Sequence, residues 1–285
     1  MSAMFTNQQV RDYYDQTEPH YRFWWNLEES MALHYGLWLD GTRSFTEALH
    51  NLNATVAEAA GVQPGWRVLD AGCGVGGSSV FLAKTFGCHC TGISLSERQI
   101  NRARENARKT GLSTQLAFEV ADYTRTGLTA ATFDLVWSIE AHVTEANKQA
   151  YYREAYRLLK PGGRLVVADY FRLRKNNNAQ EATVMRNWLH HWAIEDITTT
   201  TQVQQWMQQA GFFPLKALNV TKGITPSSRR MYYACQLGRF GTWAYNLLNN
   251  ATPFSKTHYK SGINQYKALK SGLWAYKILV AEKPV

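Results

Sequence analysis

Val68-Leu69-Asp70-Ala71-Gly72-Cys73-Gly74-Val75-Gly76-Gly77 runs an apolar strand into a glycine-rich turn that opens a helix, and its reading decides the fold. Glycine is required where a backbone turns sharply and a ligand must approach without Cβ interference. Free amides at the start of the following helix can hold a carboxylate or phosphate. Asp70 stands at the strand end, where an acid needs a partner to offset its desolvation. A dinucleotide is the rival ligand for any such turn. The spacing Gly72-x-Gly74-x-Gly76 departs from that rival's pattern, while Gly77 keeps it open.

Outward from the turn the chain alternates. Arg67–Ala71, Cys88–Ser94, Leu116–Val120, Phe133–Ile139 and Arg164–Phe171 read as strands, with helices at Ser78–Thr85, Glu97–Thr110 and Lys148–Leu159. Pro161-Gly162-Gly163 reads as a turn before the fifth strand. A helix follows at Gln202–Ala210, ended by Gly211, then a sixth strand at Leu215–Thr221 and a closing strand at Ala275–Ala281. Upstream, residues 7–33 and 44–60 carry helical patterns. This alternation predicts a parallel sheet covered on both faces. The long, aromatic and basic stretch between the last two strands should have structure of its own.

Formal net charge is +9, and it sits in the second half. Residues 1–150 hold 12 basic and 16 acidic side chains, residues 151–285 hold 19 and 6. Such a half could meet an anionic substrate or a membrane surface, or simply be a solvated face. No dense Lys/Arg block or nucleic-acid-binding motif accompanies it, so no nucleic-acid partner is expected. Cys73, Cys88, Cys90 and Cys235 are scattered and suggest neither a disulfide nor a metal site. No secretory leader and no apolar run near the ~20 residues of a membrane span is found. A cytoplasmic protein without a transmembrane segment is expected, with peripheral membrane contact and oligomeric state left open.

Aromatic residues gather at Tyr13, Tyr14, Tyr21, Phe23, Trp24, Trp25, Tyr35 and Trp38, and again at Trp188, Trp192, Trp206, Trp243, Tyr245 and Trp274. Helix packing uses such residues freely. Two groups flanking a ligand-binding sheet also suggest an aromatic-walled pocket.

The segment VLDAGCGVGGSS closely resembles the first motif of the class I S-adenosylmethionine-dependent methyltransferases. Gly92-Ile93-Ser94-Leu95-Ser96 with Gln99 resembles the second-strand motif of the cyclopropane-fatty-acid, tocopherol and sterol members. Most class I enzymes carry an acid at the position of Ser94 to hold the ribose; here the resemblance gives that role to Ser94 and Gln99 together. Ala121-Asp122 resembles the adenine-binding position, and Phe133–Trp137 and Leu158–Leu165 resemble the next two motifs. The similarity covers about residues 34–172. It implies S-adenosyl-L-methionine as cofactor, held by Asp70, Gly72, Cys73, Gly74, Ser94, Gln99, Asp122, Tyr123 and Ser138. The expected fold is α/β: a Rossmann-like, mostly parallel seven-stranded sheet with an N-terminal helical lid and a helical cap inserted before the last strand. The divisions are a lid at 1–60, a cofactor-binding domain at 61–222, a cap at 223–270 and the final strand at 271–285.

Ligands of such sheets lie beyond the carboxyl ends of the strands. Ser138-Ile139-Glu140-Ala141-His142 is therefore the place to seek acceptor contacts. It resembles the S-I-E-x-x-x-H segment of the tocopherol- and sterol-like enzymes, whose histidine falls at Thr144 here. Glu140 is a candidate to stabilise positive charge, and His142 a candidate base. Leu33-His34-Tyr35-Gly36-Leu37-Trp38 resembles a lid segment of the same relatives, and Tyr35 and Trp38 are candidates to face the sulfonium. Arg229 and Arg230 could meet an anionic group such as a diphosphate. The expected activity is methyl transfer to a small hydrophobic or anionic-headed acceptor, a prenyl chain, sterol or other secondary metabolite. Carbon is favoured as the methylated atom, with O- or N-methylation as the alternative. A nicotinamide-dependent oxidoreductase and a non-catalytic cofactor-binding subunit are the alternatives from other classes.

Overall fold

The computed structural model describes residues 5–25, 27–145, 147–248 and 253–285, of which 18–24, 215, 239–248 and 253–256 are described by backbone alone. The side chains of Tyr21, Phe23, Trp24, Trp243 and Tyr245 therefore lie outside the described set. Among the described residues seven strands form one sheet in the order β3-β2-β1-β4-β5-β7-β6. They are β1 (Arg67–Ala71), β2 (His89–Ser94), β3 (Leu116–Val120), β4 (Phe133–Ile139), β5 (Leu159–Arg172), β6 (Phe213–Asn219) and β7 (Trp274–Glu282). β1 to β5 pair in parallel, and β7 runs antiparallel to both β5 and β6.

Among the described residues ten α-helices surround the sheet: α1 (Asn7–Trp24), α2 (Leu27–Ser30), α3 (Phe45–Ala60), α4 (Gly77–Phe86), α5 (Glu97–Lys109), α6 (Lys148–Leu158), α7 (Ala179–His190), α8 (Thr200–Gln209), α9 (Thr221–Leu248) and α10 (Pro253–Lys270). Local chemistry sets their ends. Ser44 accepts the Glu47 amide to cap α3, and Gly61 ends that helix at φ 64°. Ser96 caps α5 by accepting from Gln99. α9 and α10 pack on each other in the stretch between β6 and β7, and α10 also meets α7 and α1.

The expected turn at Pro161-Gly162-Gly163 falls inside β5. The ladder to β4 jumps from Phe133↔Leu159 to Leu135↔Arg164, and Gly162 donates to the Lys283 carbonyl. The turn is thus absorbed as an irregularity of one long strand. β2 begins one residue later than the pattern suggests and β6 two residues earlier.

β4 is nearly continuous apolar sequence because both of its faces are covered, and Leu135, Val136 and Trp137 are fully buried. The core divides into two layers, one on each face of the sheet. Trp188 of α7 and Trp274 of β7 are buried with Tyr35 and Tyr276 in the larger layer. No described helix is long and apolar enough to cross a membrane.

Candidate active site

A cleft partly open to solvent lies at the carboxyl edge of β1, β2 and β4. Its floor at one end is the glycine turn. Gly72 and Gly74 adopt φ of 87° and 52°, and a Cβ on Gly72 would stand 2.2 Å from the Ala141 Cβ. Only glycine fits that position. Asp70 is buried beside the turn and accepts the Ser79 hydroxyl at 2.7 Å. Burial pushes its carboxyl up to about 6, with the Ser79 hydrogen bonds working against the rise. Cys73 also lines the cleft, its thiol held well above the ordinary value by burial.

Ser94 and Gln99 close the same end. The Ser94 hydroxyl donates to Gln99 Oε1 at 2.8 Å, and both residues line the cleft. Tyr123 lines it too, donating to the Ala141 carbonyl at 3.1 Å and so tying the end of β3 to the loop after β4. Asp122 and Ser138 do not line it. Asp122 accepts from the Thr124 amide and hydroxyl and from the Asn7 side chain of α1. Ser138 is fully buried within β4.

The other end is walled by aromatic residues around one acid. Glu140 occupies a left-handed conformation, φ 51°, unusual for a residue with a side chain. Its Oε1 accepts the Tyr35 amide at 2.8 Å and the Tyr276 hydroxyl at 2.9 Å, and its Oε2 accepts the Tyr170 hydroxyl. Burial raises its pKa to about 8 in spite of these three donors. The Tyr35 ring stands edge-on to Tyr170 and Tyr276, with centroids 5.7 and 6.2 Å away. Trp192, Ile194, Val143 and Met231 complete the apolar wall.

His142 is turned out of the cleft. It is buried behind the wall, where Nε2 meets the Tyr152 hydroxyl at 2.8 Å and Nδ1 lies 3.5 Å from Asp169 Oδ2. Burial holds it well below the usual histidine pKa, so it is neutral at pH 7. Trp38 is also turned away, its indole donating to Ser227 of α9 at 2.9 Å. Arg229 and Arg230 do not reach the cleft; the Arg230 guanidinium lies over the Phe45 ring.

Several residues of the site carried no signal in the linear pattern. Asp169 is buried and accepts the Val143 amide at 2.9 Å and the Tyr170 amide at 2.8 Å. It fixes one cleft residue on each side of the gap between β4 and β5. Lys148 donates to the carbonyls of Val143 and Glu145, so the Val143 backbone is held at its N–H by Asp169 and at its C=O by Lys148. His34 lies in the segment that resembles a lid, but its contacts are not legible there: it accepts from Asn53, which accepts the Ser78 hydroxyl, linking the segment before α3 to the start of α4. Tyr170 and Tyr276 sit in ordinary strand alternation, and nothing local marks them.

The chain's residues 63–211 match the model of a methyltransferase domain family. The chain is 32% identical over 195 residues to a 27-O-demethylrifamycin SV methyltransferase of Amycolatopsis mediterranei, covering 68% of this chain and 71% of that one. It is 37% identical over 154 residues to a sterol 24-C-methyltransferase of Gibberella zeae, covering 54% of this chain and 39% of that one. The crystal structure of the [4+2]-cyclase SpnF superposes with a TM-score of 0.83 at 26% identity, covering 100% of this chain and 98% of the other.

Proposed function

We propose that this chain, which belongs to the methyltransferase domain family and is an S-adenosylmethionine-dependent methyltransferase, transfers its methyl group to carbon on a small hydrophobic acceptor. The glycine cradle, with no room for a Cβ at Gly72, fits a cofactor pressed against the backbone. Asp70, Ser94 and Gln99 present oxygen and amide groups at the same end, as an adenosyl and amino-acid ligand requires. The cofactor supplies an electrophilic methyl group on sulfur. The protein's part is orientation, exclusion of water and disposal of a proton.

The observation that carries the choice of carbon is the Glu140 carboxyl in its tyrosine cage, facing the apolar end of the cleft while His142 points elsewhere. Positive charge developing on an acceptor carbon favours the carboxylate form of a raised acid. The rings of Tyr35, Tyr170 and Trp192 attract the same charge. In the reaction the sulfur–methyl bond breaks as a new carbon–carbon bond forms at one alkene carbon. The neighbouring carbon becomes electron-deficient, and a C–H proton passes to Glu140 to restore an alkene. A prenyl, sterol or related secondary metabolite has the required chemistry, and the sterol relative is named for a C-methylation.

Transfer to a hydroxyl is a second reading, supported by identity to the rifamycin enzyme over 71% of its length. Glu140 would then take the hydroxyl proton. Residues 1–60 and 223–270 act in either case as lid and cap, for Tyr13, Tyr35 and Met231 all line the cleft. Incubation with methyl-labelled S-adenosylmethionine and a panel of prenyl, sterol and phenolic acceptors, followed by NMR of the product, tests the choice. A label on carbon supports it, and a methoxy product overturns it.

A further inference from the structure

Arg11 of α1 is the one lysine or arginine among the described residues lining the cleft. Its Nε is buried without a hydrogen-bond partner, and the side chain forms no ion pair within the described residues. A buried guanidinium nitrogen left unmatched is costly, and such a group in a ligand cleft is matched by the ligand.

The helix places this cation. Residues four apart share a helix face. One turn before Arg11, Asn7 donates to Asp122 Oδ2 at 2.7 Å. One turn after it, Asp15 accepts the Ser96 hydroxyl at 2.6 Å. Asp122 follows β3, and Ser96 follows β2 beside Ser94 and Gln99, so the face 7-11-15 spans the edge between the ends of those strands. Arg11 thus lies between two carboxylates and pairs with neither. That field disfavours an anionic ligand. It suits a neutral aromatic base, on which a planar guanidinium stacks and to whose ring nitrogens it can donate.

Given the cofactor identity reached above, we propose that Arg11 lays its guanidinium on the adenine of the bound cofactor, and that α1 is thereby seated by the cofactor. The adjoining face of the same helix carries Val10 and Tyr13, which are buried and line the cleft. Cofactor binding therefore shapes the acceptor half.

Calorimetric titration with S-adenosylhomocysteine tests this on wild type, Arg11→Ala and Arg11→Lys, with hydrogen exchange of α1 followed in parallel. Arg11→Ala should weaken binding about tenfold, equal to about 1.4 kcal/mol, and should lose the ligand-induced protection of α1. Arg11→Lys should not restore either, because an ammonium is a point charge without a stacking plane. Wild-type affinity in Arg11→Lys would overturn the stacking contact. Unchanged affinity in Arg11→Ala, with a raised KM for an anionic acceptor, would reassign the cation to that acceptor. Both failures leave wild-type binding intact, whereas a folded wild type that binds no S-adenosylhomocysteine overturns the methyltransferase reading itself.

Discussion

Tyr276 of β7 donates its hydroxyl to Glu140 Oε1 at 2.9 Å, although 136 residues separate them in the chain. The bond favours the ionised form of an acid that burial has raised to about 8. In Tyr276→Phe that support is lost and the acid should rise further. The alkaline shift should appear as displacement of the rising limb of the kcat–pH profile, with kcat at pH 7 down about tenfold, the scale of one charge-assisted hydrogen bond. A profile superimposable on wild type would remove Glu140 from the proton-transfer step.

Raised buried acids also set the pH dependence of stability. Asp169 at about 7 and Glu140 at about 8 lie far above their unfolded values. Their contribution is complete at low pH and is lost as pH rises through the folded values. His34 and His191, lowered to about 4 by burial, act in the opposite sense, but only below about pH 6.5 where unfolded imidazoles take protons. Between pH 6.5 and 8.5 the imidazoles no longer oppose the acids, and only the lowered Lys148 and Lys283 act against them. Tm of the unliganded protein should fall across that window, by roughly 2–4 °C for each kcal/mol lost. Glu140→Gln should flatten the slope, and an equal slope in that variant would count against the assignment.

His142 supports the wall from behind. His142→Ala should cost about 1–3 kcal/mol of stability by leaving the Tyr152 hydroxyl short of a partner. It should leave the shape of the kcat–pH profile unaltered, since the imidazole is neutral and outside the cleft. Loss of an ionisation from that profile would show that the ring reaches the reaction after all.

Gly72→Ala puts a methyl 2.2 Å from the Ala141 Cβ in a left-handed backbone. Affinity for S-adenosylhomocysteine should drop at least about tenfold in a chain that stays folded by circular dichroism. Gly65→Ala is the control: it also has positive φ, but its Cβ would meet nothing. Comparable loss of binding in both variants would mean that backbone strain alone explains the effect.

The cofactor end was largely legible in the sequence, because a strand, a glycine turn and a helix start are consecutive residues whose chemistry is local. Asp70, Gly72, Cys73, Gly74, Ser94, Gln99 and Tyr123 all come to the cleft from such segments. The acceptor end was not, because it is assembled by the order of strands in the sheet. Glu140 is marked by its neighbours in sequence, but Tyr170 comes from the next strand and Tyr276 from a strand added at the far side of β5. His142 shows the limit of linear reading. Two residues after Glu140, it was expected at the same surface, yet the single helical turn at His142–Thr144 turns it inward to Tyr152. Helix α7 is hard to see in the sequence because its polar first turn hides a short apolar stripe, Met185, Trp188 and Leu189.

The placement of β7 between β5 and β6 carries a cost in assembly. Nine residue pairs join β7 to β5, from Arg164↔Glu282 to Arg172↔Trp274. Until α9 and α10 have folded back, that slot stands open and β5 presents a bare edge of unpaired amides and carbonyls. Contacts of such long sequence separation form slowly, and an open edge can recruit a strand from another molecule. The window of greatest hazard for this protein is thus the interval before the last gap in the sheet is filled, when its aggregation should depend most steeply on concentration.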